Sequence, residues 1–250
     1  MKLYVIKGRT LFFGILAAIA VCVCIGAGAQ VQSVFRVGNR EIPIYCVERD
    51  DNRLALTFNC AWNDSDIDAI LTTLDEYGVK ATFFAVGDWA EKYPEALAKI
   101  DAHGHEIGNH SYNHAHYSQM GKDAILADIQ KADDVIEQVT GKDVTLFRAA
   151  YGEYTDDVVK ACDETGRVYI QWSVDSIDYG DAAKADIVNR VLSKAKAGDI
   201  VLMHNGTKNT AAALPEILAE LTKKYELCTV SDLIYKDNYV IDGTGKQIKA

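Results

Sequence analysis

Leu54-Ala55-Leu56-Thr57-Phe58 reads as a short buried strand, and the alternation of elements that it begins decides the fold. Residues 67–77 carry Ile67, Ile70, Leu71 and Leu74 at helical spacing and stop at Gly78. Residues 80–86 are again rich in strand formers. The unit then repeats. Helices are predicted over 89–102, 123–139, 155–165, 185–197 and 210–224. Strands are predicted over 105–109, 145–148, 168–174, 199–203 and 227–230. Gly104, Gly141, Gly166 and Gly198 punctuate the helices. Such alternation means parallel strands, about seven after a leading strand. An open doubly wound sheet and a barrel both satisfy it. No Gly-x-Gly-x-x-Gly comes after the first strand and no Walker loop occurs, which removes the usual nucleotide signatures.

The strand ends favour the barrel. Asn59, His110, Arg148, Asp175 and His204 each close a different predicted strand. Barrels gather catalytic side chains at that face. His110 and His114 lie four apart in Gly108-Asn109-His110-Ser111-Tyr112-Asn113-His114, a spacing that lets two imidazoles share one metal ion.

The chain has 250 residues, room for one large α/β domain, and ordinary globular composition at 49% hydrophobic and 25% charged. A formal net charge of -10 and the lack of any basic run argue against a nucleic-acid partner. Residues 1–29 stand apart. Lys2, Lys7 and Arg9 precede an uncharged apolar run from Leu11 to Ala29. The run is long enough to span a bilayer, and Ala27-Gly28-Ala29 also fits a peptidase site. A cleaved signal peptide and an uncleaved anchor remain open. Either puts the N-terminus in the cytoplasm and the domain outside. Residues 30–52 read as a stalk and leading strand, 53–235 as the domain, and 236–250 as a tail. Six cysteines show no paired spacing, so no disulfide framework is expected.

Residues 53–233 resemble the polysaccharide deacetylases, carbohydrate esterase family four or the NodB-homology domain. Thr57-Phe58-Asn59-Cys60 is similar to Thr-Phe-Asp-Asp. His110-Ser111-x-x-His114 matches the metal histidines. Arg148-Ala149-Ala150-Tyr151-Gly152 is similar to Arg-x-Pro-Tyr-Gly, Asp175-Ser176-Ile177-Asp178-Tyr179 to Asp-Ser-x-Asp-Trp, and Leu202-Met203-His204 to Leu-x-His. The stretches around Trp62, Trp89 and Trp172 look most like the sporulation-type branch. The resemblance implies a distorted (β/α) barrel and a monomer that removes N-acetyl groups from a cell-wall glycan such as peptidoglycan. It also implies one divalent ion, zinc first, with cobalt, nickel, manganese or iron as alternatives.

The resemblance assigns roles as well. His110, His114 and a carboxylate would hold the ion, whose water becomes a hydroxide source near neutrality. An aspartate at position 59 would take the proton, and Arg148 would hold that aspartate. A backbone N–H near Tyr151 would face the oxyanion. His204 would protonate the leaving amine, oriented by Asp175. Read from the residues themselves, Trp62, Tyr151 and Tyr179 are either platforms for sugar rings or core aromatics.

Three positions depart from the pattern. Asn59 stands at the base position, Cys60 at a metal position and Ala150 at a turn proline. Asp64 is the first replacement for the third ligand, then Cys60 as thiolate, then a two-histidine site completed by water. Cys60 reads equally well as a small buried residue. Asp178 reads as a loop cap. The competing function is a catalytically inactive glycan-binding or spore-wall assembly protein of the same fold.

Overall fold

The computed structural model describes residues 42–250 and the backbone of Phe35 and Arg36. The expected membrane segment lies outside these residues, and among the described residues no helix is long and apolar enough to cross a membrane. Seven strands form the main sheet: β3 (Arg53–Cys60), β4 (Thr82–Ala85), β5 (Glu106–Asn109), β6 (Leu146–Phe147), β7 (Val168–Tyr169), β8 (Val174–Asp175) and β9 (Ile200–His204). Their order is β7-β6-β5-β4-β3-β9-β8, and every pairing is parallel. β10 (Glu226–Cys228) lies beside the start of β3. This is the distorted (β/α) barrel that the resemblance implied.

Strand alternation divides β3 into two chemistries. Leu54, Leu56, Phe58 and Cys60 enter the large apolar cluster with Ile67, Ile70 and Leu74 of α1 (Ile67–Glu76) and Trp89 of α2 (Gly87–Lys92). Thr57 and Asn59 point the other way and meet Arg148. In register, Asn59 stands beside Phe84 on one side and His204 on the other.

Several elements differ from the sequence reading. The helix expected over 89–102 is two, α2 and α3 (Pro94–Ala102). Pro94 opens α3 and forces Tyr93 out of helical geometry, to φ -127 and ψ 53. The strand expected over 168–174 splits into β7 and β8. Between them Ile44 donates to Tyr169 O (2.9 Å) and accepts from Gln171 N (2.7 Å), so the leading segment takes over the pairing. The last expected strand stops at Cys228. Thr229 then caps α8 (Val230–Leu233), accepting from Asp232 N. The intervening helices are α4 (Lys122–Thr140), α5 (Asp156–Glu164), α6 (Lys184–Lys194) and α7 (Thr210–Leu221).

Residues 236–250, expected as a tail, carry β11 (Tyr239–Ile241) and β12 (Lys246–Lys249). With β1 (Phe35–Arg36) and β2 (Cys46–Val47) they build a second sheet in the order β1-β11-β12-β2. Gly198 lets the β2 backbone approach the barrel. Its φ of +84° suits glycine, and a Cβ there would sit 1.8 Å from Val47 O.

Candidate active site

Arg148 comes directly after β6 and turns wholly inward. Its Nη1 donates to Thr57 Oγ1 (2.9 Å) and to Asn59 Oδ1 (3.0 Å), and Nη2 donates to Gln171 O (3.1 Å). Its guanidinium packs 4.0 Å from the Phe84 ring centroid. Among the described residues it forms no ion pair, and burial pushes its pKa down to about 9.

The two histidines sit side by side, ring centroids 5.1 Å apart. His110 Nδ1 lies 2.7 Å from Arg148 O. A carbonyl only accepts, so Nδ1 carries the proton and Nε2 is bare. That nitrogen is buried without a hydrogen-bond partner among the described residues. Burial first, and then the neighbouring imidazole, hold His110 well below its ordinary pKa. Burial, and then the charge of His204, lowers His114. Both are therefore neutral donors of a lone pair.

Their loop is pinned by residues that the sequence reading missed. Ser111 and His114 take left-handed φ of 69° and 56°. Such non-glycine residues cost on the order of 1–3 kcal/mol each. Asn109 Oδ1 accepts from Ser111 N (2.7 Å), and Asn109 Nδ2 donates to Asp133 (2.7 Å). Asp128 accepts from Tyr112 N (2.8 Å) and Tyr117 OH (2.6 Å). Asp128 and Asp133 both come from α4, far enough along the chain that no local pattern signals their role.

No third metal ligand joins the pair among the described residues. Asp64 is exposed and its charge acts on Lys92 and Lys99 rather than on the histidines. Cys60 points into the apolar cluster, where burial keeps its thiol protonated. Among the described residues no group of three His, Cys, Asp or Glu could hold an ion. Asp64, expected as the third ligand, forms no such group with His110 and His114 among the described residues. The two histidines fit two positions of a divalent site.

A second correction concerns His204. Its Nδ1 lies 2.7 Å from Asp178 Oδ1, and its backbone N donates to Asp178 Oδ2 (2.8 Å). Thr210 Oγ1 donates to the same oxygen at 2.5 Å. Asp178, not Asp175, orients the imidazole. Asp175 caps the loop instead, accepting from Ile177 N (2.8 Å) and Tyr179 OH (3.3 Å). The two acids are three residues apart, and a left-handed Ile177 (φ 54°) reverses the chain between them. Strand periodicity could not have chosen.

Exposed aromatic rings flank these groups. Trp62 and Tyr179 each lie 5.3 Å from the His204 ring. Tyr151 lies 4.5 Å from His114 and stacks on His116 at 4.0 Å, where Glu153 holds His116 Nδ1 at 2.8 Å. All three aromatics stay roughly half exposed. Tyr151 also adopts φ 59°, so its turn is defined despite Ala150.

The polysaccharide deacetylase family model matches residues 47–170. A peptidoglycan-N-acetylglucosamine deacetylase of Bacillus cereus is 34% identical over 75% of this chain and 91% of its own. The chain belongs to the polysaccharide deacetylase family. The uncharacterized protein YlxY of Bacillus subtilis (strain 168) is 35% identical over 77% of this chain and 60% of its own. The chain spans 40–64% of the length of YlxY and two further curated relatives. Among solved structures, a CE4 family pseudoenzyme from Bacillus anthracis superposes with a TM-score of 0.74 at 33% identity, covering 76% of this chain and 68% of that one. A mutant of that pseudoenzyme, described as having restored enzymatic activity, superposes equally well over 70% of its chain.

Proposed function

We propose that this chain recognises an N-acetylated cell-wall glycan of the peptidoglycan type, and that its own deacetylation step is disabled at the base position. The observation that carries this reading is Asn59. An amide stands where a carboxylate would take a proton, and Arg148 holds its oxygen. Loss of a general base costs about 10²–10⁴ in rate. Recognition is retained, because Trp62, Tyr151 and Tyr179 flank the histidines with apolar rings suited to sugar faces.

A second reading is residual N-deacetylation assisted by a divalent ion, zinc first, on His110 and His114. The His204–Asp178 pair favours it, since a leaving-group acid kept in place has no evident use in a pure binder. Such an ion would supply a polarised water. Site and glycan would lie outside the membrane, as the charge around residues 2–9 implies.

The test is sedimentation with purified peptidoglycan, run beside an acetate-release assay on the same material and on N-acetylglucosamine oligomers. Binding without acetate release supports the first reading. Acetate release by the unaltered chain supports the second. Neither binding nor release overturns both.

A further inference from the structure

The Arg148–Asn59 contact fixes more than the position of a side chain. A guanidinium can only donate, so the oxygen of the Asn59 amide must face Arg148. The NH₂ group is therefore turned the other way. Asn59 Nδ2 has no protein partner among the described residues, and it is not one of the sealed polar atoms. Asn59 keeps 4% of its surface open, on the strand position that pairs with His204. An aspartate here would present a bare oxygen, an acceptor. This chain presents two N–H bonds. The hydrogen-bonding sense of the position is reversed.

The surroundings strengthen that reversal. Among the described residues the Arg148 guanidinium is buried without a carboxylate partner, and its Nε lacks a hydrogen bond. Its charge polarises the amide through Oδ1 and makes the outward N–H a better donor. A buried cation of this kind favours electron-rich oxygen nearby.

We propose that Asn59 Nδ2 donates to the oxygen of an acetyl group, so that the site retains uncleaved acetyl groups instead of activating water against them. The ligand chemistry is a planar acyl oxygen, from an intact N-acetyl sugar or from free acetate. No bond is made or broken. The inference rests on the glycan-recognition reading and adds a specificity-determining residue to it.

The test uses the full chain treated with EDTA, so that no bound ion contributes. Titration calorimetry compares the N-acetylglucosamine tetramer, the glucosamine tetramer and sodium acetate. The unaltered chain should bind the acetylated tetramer in preference to the free-amine one. Asn59→Asp should bind the acetylated tetramer about tenfold more weakly or worse, the scale of one lost hydrogen bond plus an opposed oxygen. Asn59→Ala should fall between the two, and it decides the matter if the aspartate variant fails to fold. Equal or tighter binding by Asn59→Asp overturns the inference, as does unchanged binding by Asn59→Ala. If the unaltered chain binds neither tetramer, the glycan reading fails and the acetate arm decides. Acetate binding that Asn59→Asp loses supports the amide donor, and acetate ignored by both overturns it.

Discussion

Arg148 Nη1 donates to Asn59 Oδ1 across 3.0 Å, and no acidic side chain forms an ion pair with this guanidinium among the described residues. A buried charge paired only with neutral oxygens is under-compensated. Asn59→Asp should therefore stabilise the fold, by about 1–3 kcal/mol at pH 7, the range for a charge-assisted hydrogen bond. The new carboxylate would have a folded pKa below its unfolded value near ~3.9. Its contribution is present above that value and lost as pH falls through the folded pKa. Urea midpoints at pH 7 and pH 3 measure this. An equal or lower midpoint for the variant at pH 7 would refute it.

Asn59→Asp should also raise acetate release at equal metal occupancy, within the ~10²–10⁴ range of a general base. The gain needs an ion on the histidine pair, so it should vanish after chelation. If the unaltered chain already matches the variant, another group is the base.

Asp178 and Asp175 should separate sharply. Asp178→Ala leaves His204 N, His204 Nδ1 and Thr210 Oγ1 without their acceptor. The expected cost is about 2–4 kcal/mol. Asp175→Asn keeps an acceptor for Ile177 N and should cost about 1 kcal/mol or less. Thermal unfolding of the two variants checks the order, and a larger loss at Asp175 would restore the sequence-based assignment.

Zinc titration should find a site that His110→Ala with His114→Ala abolishes and that Asp64→Asn leaves intact. Loss of zinc in Asp64→Asn would make Asp64 a ligand after all. Retention in the double alanine variant would place zinc elsewhere.

His105 offers a pH test away from the site. It is buried, its Nε2 lacks a partner among the described residues, and Nδ1 accepts from Ala81 N (3.3 Å). Burial lowers its pKa to about 4. The unfolded chain binds its proton near pH ~6.5 and the folded one does not. Stability should therefore fall as pH drops from ~6.5 to ~4, by up to roughly 3 kcal/mol from this residue. His105→Gln keeps the acceptor and cannot titrate. Its urea midpoint should fall less over that window, and an identical slope would discount His105.

Most of the architecture was readable from residues alone. Apolar runs punctuated by glycine placed most elements, because parallel strands buried on both faces leave such runs. The strand ends marked Asn59, His110, Arg148 and His204, which the fold brings around one mouth. What failed were contacts set beyond the strands. Asp178 reaches His204 from a loop bent by a left-handed residue, and Asp64 stays exposed in the loop after β3. Cys60 alternates with Asn59 and here enters the apolar cluster, while Asn59 meets Arg148.

The pairing of β12 with β2 has a consequence for how the chain comes to be folded. Lys246 lies opposite Cys46 and Gln247 opposite Val47, partners about two hundred residues apart. Val47 in turn is the acceptor side of the close approach at Gly198. The segment around Cys46 cannot reach its final seat until residues 246–249 have been synthesised. A nascent or truncated polypeptide that stops before them should stay open, soft and visible to proteases while one that includes them does not.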